Sequence, residues 1–255
     1  MSEVPETFIS HLIELRDRLI KAIAAVLILF FCLVPWSGEV YDLLAHPLMV
    51  ALPPGSKMIA TGVITPFMVP LKVTLMAAFV LALPIVLYQA WAFVAPGLYA
   101  HEKKFALPLV IGSSALFLLG MAFCYFFVFG TVFHFIAKVS PASITPAPDI
   151  EQYLSFVMTM FLAFGITFEV PVAVVLLVKF GLVKLQTLKD IRPYAIVGAF
   201  VVAAIVTPPD VTSQVMLAVP MCLLFELGIF MARFIERPDA KAGDAEEPLP
   251  AQPKD

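Results

Sequence analysis

Residues 153–178 read YLSFVMTMFLAFGITFEVPVAVVLLV, a run with a single acidic or basic side chain, Glu169. A helix crosses the hydrocarbon of a bilayer with roughly 17 to 25 consecutive apolar residues, so this run is long enough to span. Five more apolar runs lie at about 19–36, 67–94, 105–129, 193–206 and 215–232. Of the 255 residues, 61% are hydrophobic and 14% charged, whereas soluble domains carry about 25% charged residues. The mean hydropathy of +0.98 agrees. The expected fold is an all-α polytopic membrane protein with six transmembrane helices in one domain, residues 1–235. A tail, 236–255, rich in Pro, Ala and acids, is expected to be disordered in the cytoplasm.

Basic residues set the orientation, because cytoplasmic flanks carry the excess of Lys and Arg. With both termini inside, thirteen of the sixteen basic residues face the cytoplasm and only Lys57, Lys72 and Lys138 face out. The chain is therefore expected to be N-in and C-in. The first twelve residues, MSEVPETFISHL, hold two acids and no basic residue, unlike the start of a cleaved signal peptide. The first span is expected to stay in the mature protein. Residues 37–66, with AHPLMVALPPG, and 139–151, VSPASITPAPDIE, are expected to form a structured extracytoplasmic cap, with the acids of the second opening the fourth helix. The fifth span, counted from Tyr194 to Val206, has 13 residues and at 1.5 Å per residue reaches only about 20 Å. With Pro220 and Glu226 interrupting the sixth run, a short fifth and sixth helix are expected to thin the bilayer locally.

Bond chemistry finds little support. HEKK at 101–104 lacks the second His of a zinc-protease helix, PPGSK at 53–57 lacks the first Gly of a phosphate loop, and there is no Gly-x-Ser-x-Gly elbow. The four histidines are scattered without metal-ligand spacing. Cys32, Cys124 and Cys222 are odd in number and each lies in an apolar run, so they read as small buried apolar residues. A net charge of -3 and no basic stripe argue against nucleic acid. No catalytic residue, metal or cofactor is expected.

What remains are ionisable groups in or beside the spans. An ionised Glu169 at mid-span costs on the order of 2.5 to 3.5 kcal/mol, so it should face protein or a water pocket, or be protonated. Pro171 behind it removes a helix hydrogen bond. Lys72 is expected to snorkel outward, and Glu226, two turns before Arg233, to be structural. Prolines at 66, 70, 84, 96, 108, 171, 193 and 220 are compatible with kinked helices around a concave face. Two stretches mix acids into basic flanks: HLIELRDRLI at 11–20, with Glu14, and APGLYAHEKK at 95–104, with Glu102. Acids contribute little to orientation there.

Five separated segments, HLIELRDRL at 11–19, LYQAWAFVAPGLYAHEKK at 87–104, SFVMTMFLAFGITFEVPVAV at 155–174, RPYAIVGAFVVAAIVTPPD at 192–210 and PMCLLFELGIF at 220–230, resemble in order the TatC family, the multispanning subunits of the twin-arginine protein translocase. Lys103 and Lys104 stand where the family often has arginines. The resemblance implies a receptor in the bacterial inner membrane, working in an oligomeric complex within the lipid bilayer. It would bind twin-arginine signal peptides of folded cargo and recruit TatB and TatA, with transport driven by the proton-motive force. It also gives Glu14 and Glu102 a use: carboxylates dock guanidinium groups in a planar two-pronged geometry. It further implies that Phe93 and Leu98 line the apolar side of the peptide site, and that Glu169, Thr207 and Gln214 form an intramembrane polar site for TatA or TatB. A proton-coupled small-solute transporter is the rival reading, but the repeated halves and paired broken helices of such folds are missing from the sequence.

Overall fold

The computed structural model describes residues 4–51, 58–94, 103–139, 147–207 and 211–234. The expectations placed on Glu102, Leu98, Lys57, the Pro-rich stretch 140–146 and the tail 236–255 lie outside them. Ten α-helices follow one another among the described residues: α1 Val4–Leu33, α2 Ser37–Ala51, α3 Thr65–Val94, α4 Lys103–Phe123, α5 Phe129–Val139, α6 Ile150–Phe168, α7 Val170–Lys179, α8 Leu185–Asp190, α9 Arg192–Val206 and α10 Val211–Ala232. A 3-10 turn, Val34–Trp36, joins α1 to α2, and a π-helical turn, Cys124–Val128, joins α4 to α5.

Five helical stretches are long and apolar enough to cross a membrane: Ile9–His46, Thr65–Phe93, Leu107–Phe135, Ile150–Lys179 and Val211–Ala232. The sixth expected span is α9. Its 15 residues reach about 22 Å, short of the roughly 30 Å of hydrocarbon. The last helix differs from expectation. It has 22 residues, about 33 Å at the same rise, so only the fifth is short. Thr212, Ser213 and Gln214 extend the apolar run by a turn, and the helix continues through Pro220, whose missing N–H costs one bond but does not end it.

Helices pack in neighbouring pairs: α1 along α3, α4 along α6, α7 and α9 against α10, and α2 across α3 and α5. The main core gathers Phe129, Phe133, Tyr153, Phe161 and Phe164 with Cys124, Val128, Val157 and Met160, and Leu217 and Ala218 close it from α10. In lipid such burial gains little from expelling water, so close packing must hold the helices together. Small residues make that possible. A Cβ on Gly120 would lie 2.6 Å from the Phe164 carbonyl oxygen, and one on Gly165 would enter the Phe117 ring. At Gly228 it would lie 2.9 Å from Val174 Cβ, so α7 and α10 also meet at a glycine. By contrast α1 buries almost nothing: Leu19, Ile20, Ile23, Ile28 and Phe31 are exposed on the isolated chain. Cys32 is exposed with them, against the expectation of burial, because this face of α1 meets no other helix among the described residues.

One end of the bundle is tied by polar contacts. Asp149 caps α6, its Oδ1 accepting from the backbone N–H of Glu151 at 2.9 Å and Gln152 at 3.0 Å. Its Oδ2 accepts from the Thr61 hydroxyl at 2.7 Å, and Ile59 bridges Pro148 and Ile150 through the backbone at 3.0 and 2.9 Å. Acids at the start of the fourth span therefore do open a helix. Above them α2 is held by two tyrosines: Tyr153 donates to the Leu44 carbonyl at 3.0 Å and Tyr125 to the Leu43 carbonyl at 3.4 Å. The Leu43 carbonyl is the one that Pro47, lacking an N–H, leaves without its helical donor.

Candidate functional site

Glu14 lies on α1, which begins well before the apolar run, so HLIELRDRLI is helical throughout. The i,i+4 spacing places Arg18 over Glu14, and Arg18 Nε and Nη2 both reach Glu14 Oε1, at 2.8 and 2.5 Å. Asp17 takes Arg16 in the same way, at 2.9 and 2.7 Å. The acids of this flank are thus engaged by the chain's own arginines. Three residues before Glu14, the His11 ring stacks on Phe93 with centroids 4.3 Å apart and planes 20° from parallel. Phe93 is half-buried in the last turn of α3. This contact brings Glu14 and Phe93 to one end of the bundle.

Glu169 sits where α6 gives way to α7. Its own N–H bonds back to the carbonyls of Ile166 and Thr167, and Pro171 cannot supply the next rung. Both carboxyl oxygens are buried and meet no hydrogen bond of good geometry. The Ser113 hydroxyl of α4 is its polar neighbour. Ser113 is itself fully buried and accepts from Trp91 Nε1 at 2.9 Å. Beside it, Ser114 Oγ is buried and unpaired. Such groups inside a membrane are costly unless a donor comes from elsewhere.

Thr207 and Gln214 stand at the turn between α9 and α10. The buried Thr207 hydroxyl donates to the Ala203 carbonyl at 2.8 Å, and Gln214 Nε2 to the Phe200 carbonyl at 3.3 Å. Each thus donates one hydrogen to the backbone of α9. Thr207 lies fifteen residues from Arg192 along α9, about 22 Å at 1.5 Å per residue, while Glu169 lies ten residues before Lys179, about 15 Å inside the basic border. Glu226 pairs with Arg192 at 2.7 Å across α9 and α10, in keeping with a structural part. Among the described residues no three His, Cys, Asp or Glu side chains gather as a metal site.

The reading of the residues passed over His11, Trp91, Ser113 and Ser114. A serine pair within an apolar run, and a Trp whose N–H needs a partner when buried, were the signals present. It also missed that Lys72 meets Glu151. On that same cap, the Thr61 hydroxyl and then the N–H of Gln152 hold the Asp149 carboxyl below the usual aspartate range.

A family model described as "Sec-independent protein translocase protein (TatC)" matches residues 10–220. The Sec-independent protein translocase protein TatC of Escherichia coli (strain K12) is 51% identical over 232 residues, covering 91% of this chain and 90% of that one. The TatC protein of Aquifex aeolicus (strain VF5) is 38% identical over 229 residues, covering 89% of this chain and 95% of its own. A crystal structure described as a twin arginine translocase receptor, TatC, superposes with a TM-score of 0.78 at 38% identity, covering 89% of this chain and 100% of that one.

Proposed function

Because the chain belongs to the TatC family of Sec-independent protein translocase proteins, we propose that it is the signal-peptide receptor and assembly core of a twin-arginine export system in the bacterial inner membrane. Its termini and the end of the bundle with Glu14 and Phe93 face the cytoplasm, and α9 makes the sixth crossing through a locally thinned bilayer. Glu14, with Glu102 from the following segment, receives the paired arginines of the peptide, and Phe93 and Leu98 receive its apolar part. Glu169, with Thr207 and Gln214, meets polar side chains of TatB and TatA. The proton-motive force drives translocation, and no residue of the chain makes or breaks a bond. The rival reading as a solute transporter draws no support from any relative.

The observation that carries this reading is the His11–Phe93 stack at 4.3 Å. It joins the helix that carries Glu14 to the last turn of α3, which precedes Glu102 in the sequence, and so supports a reading in which one peptide touches both acids. The test is binding of a twin-arginine signal peptide to the purified full chain. Glu14→Gln keeps the shape and removes the charge, and is expected to weaken binding by roughly 1.5 to 3 kcal/mol, the scale of a hydrogen bond to a charged group. Equal binding by wild type, Glu14→Gln, Glu102→Gln and the double variant would rule the site out.

A further inference from the structure

We propose that Trp91 and Ser113 are positioning residues for Glu169, forming a short polar chain that ties the end of α3 to the intramembrane acid. The inference rests on the reading that Glu169 meets a partner helix, and adds what holds its carboxyl for that meeting.

Helix packing places the two residues together independently of any hydrogen bond. α4 and α6 run antiparallel, in from opposite ends of the bundle, and Phe117 of α4 seats its ring on Gly165 of α6. One turn back along α4 from Phe117 is Ser113, and one turn on along α6 from Gly165 is Glu169. In an antiparallel pair these are the next residues to meet. The depths agree, since Ser113 follows Lys103 by ten residues and Glu169 precedes Lys179 by ten. Each is about 15 Å in at the helical rise.

The direction of the chain follows from donor chemistry. An indole N–H donates and never accepts, and a serine hydroxyl has one hydrogen and two lone pairs. Trp91 Nε1 uses a lone pair of Ser113 Oγ at 2.9 Å. The Ser113 hydrogen is left to point away from Trp91, toward Glu169, the neighbouring acceptor that lacks a partner. The carboxyl is then steadied by one donor on the α4 side and keeps acceptor capacity for a donor from outside the chain. Trp91 lies two residues before Phe93. The same last turn of α3 therefore touches His11 at the peptide end and Ser113 in the interior, so displacement of this turn by a bound peptide would be felt at Glu169.

The test places a photo-crosslinking amino acid at Ile166, which is exposed one turn before Glu169, in the full chain in membranes containing TatA and TatB. Crosslink yield to each is measured with and without a twin-arginine signal peptide, and peptide binding is measured in parallel as a check on folding. Ser113→Ala and Trp91→Phe are each expected to lower the yield by about three- to tenfold, the population change that goes with one lost hydrogen bond, with peptide binding by Ser113→Ala intact. Ser113→Thr, which keeps the hydroxyl, is expected to restore it. If Glu169→Ala lowers the yield while Ser113→Ala and Trp91→Phe do not, the polar chain is wrong and the partner site stands. If Ser113→Thr fails as badly as Ser113→Ala, the hydroxyl is not the cause and the inference falls. If Glu169→Ala itself crosslinks like wild type, the partner reading fails, and the inference with it.

Discussion

Lys72 Nζ, in the second turn of α3, lies 2.7 Å from Glu151 Oε1, in the first turn of α6. The lysine expected to snorkel outward clamps two spans at one end, with Thr65 donating to the other carboxyl oxygen at 3.3 Å. Asp149, two residues earlier, makes the neighbouring link to Thr61. The two acids of a single first turn thus fasten α6 to the chain before α3 and to α3 itself.

Because the Thr61 hydroxyl and the N–H of Gln152 favour the charged carboxylate, Asp149 titrates below its unfolded value of about 3.9. A group depressed in the folded state stabilises the fold above its unfolded value, and that contribution is lost as pH falls through the folded one. The hydrogen-exchange protection of residues 58–61 and 149–152, taken relative to the intrinsic rate at each pH, is expected to stay level from neutral pH down to the ordinary aspartate range, then to fall below it. Asp149→Asn is expected to exchange faster at neutral pH and to lose this step. A fall in protection centred near pH 6 or 7 would assign the link to another group.

Arg18 occupies the Glu14 oxygen that a peptide arginine would use. An i,i+4 pair on a helix contributes only about 0.2–0.5 kcal/mol, and this one is half-buried, so Arg18→Gln should change the melting of the purified chain only slightly. It should tighten binding of a twin-arginine peptide, because the peptide no longer displaces a resident arginine, and a twin-lysine peptide should gain less. Weaker binding by Arg18→Gln would mean that Arg18 is itself a contact.

Gly165 is the floor on which the Phe117 ring rests. Gly165→Ala must push that buried ring aside, and overpacking of this kind costs about 1 to 3 kcal/mol. Thermal unfolding in detergent should show the loss, and Phe117→Leu in the same chain should recover part of it. Gly198 on α9 has open space where a Cβ would go, so Gly198→Ala is the matched control and should be neutral or slightly stabilising.

Tyr125 donates to the carbonyl that Pro47 leaves without a helical partner. Tyr125→Phe should cost about 0.5 to 1.5 kcal/mol, the net worth of one hydrogen bond. In a Pro47→Ala background the helix supplies its own N–H, so the same change should cost less. Equal costs in both backgrounds, read by thermal unfolding, would show that hydroxyl and proline are independent.

Membrane class, the positions of the long spans, the short fifth helix and the acids that open the fourth were legible in the sequence. Each depends on the local count of apolar residues or on a capping residue beside its own helix, and neither needs a partner in space. The family was legible for a related reason, since five polar-marked segments keep their order. The contacts that build the site and the cap were not. Lys72 and Glu151 are 79 residues apart, and Trp91 and Ser113 are 22 apart. Whether they meet depends on the register of one helix against another. In a soluble helix an apolar stripe announces the buried face, but lipid is as apolar as a protein core, and the mostly apolar α3 and α10 have no single apolar stripe. The face turned inward is chosen by shape, such as the seat of Phe117 on Gly165. That fit exists only when both helices are in place, and it is what leaves Glu169 opposite Ser113.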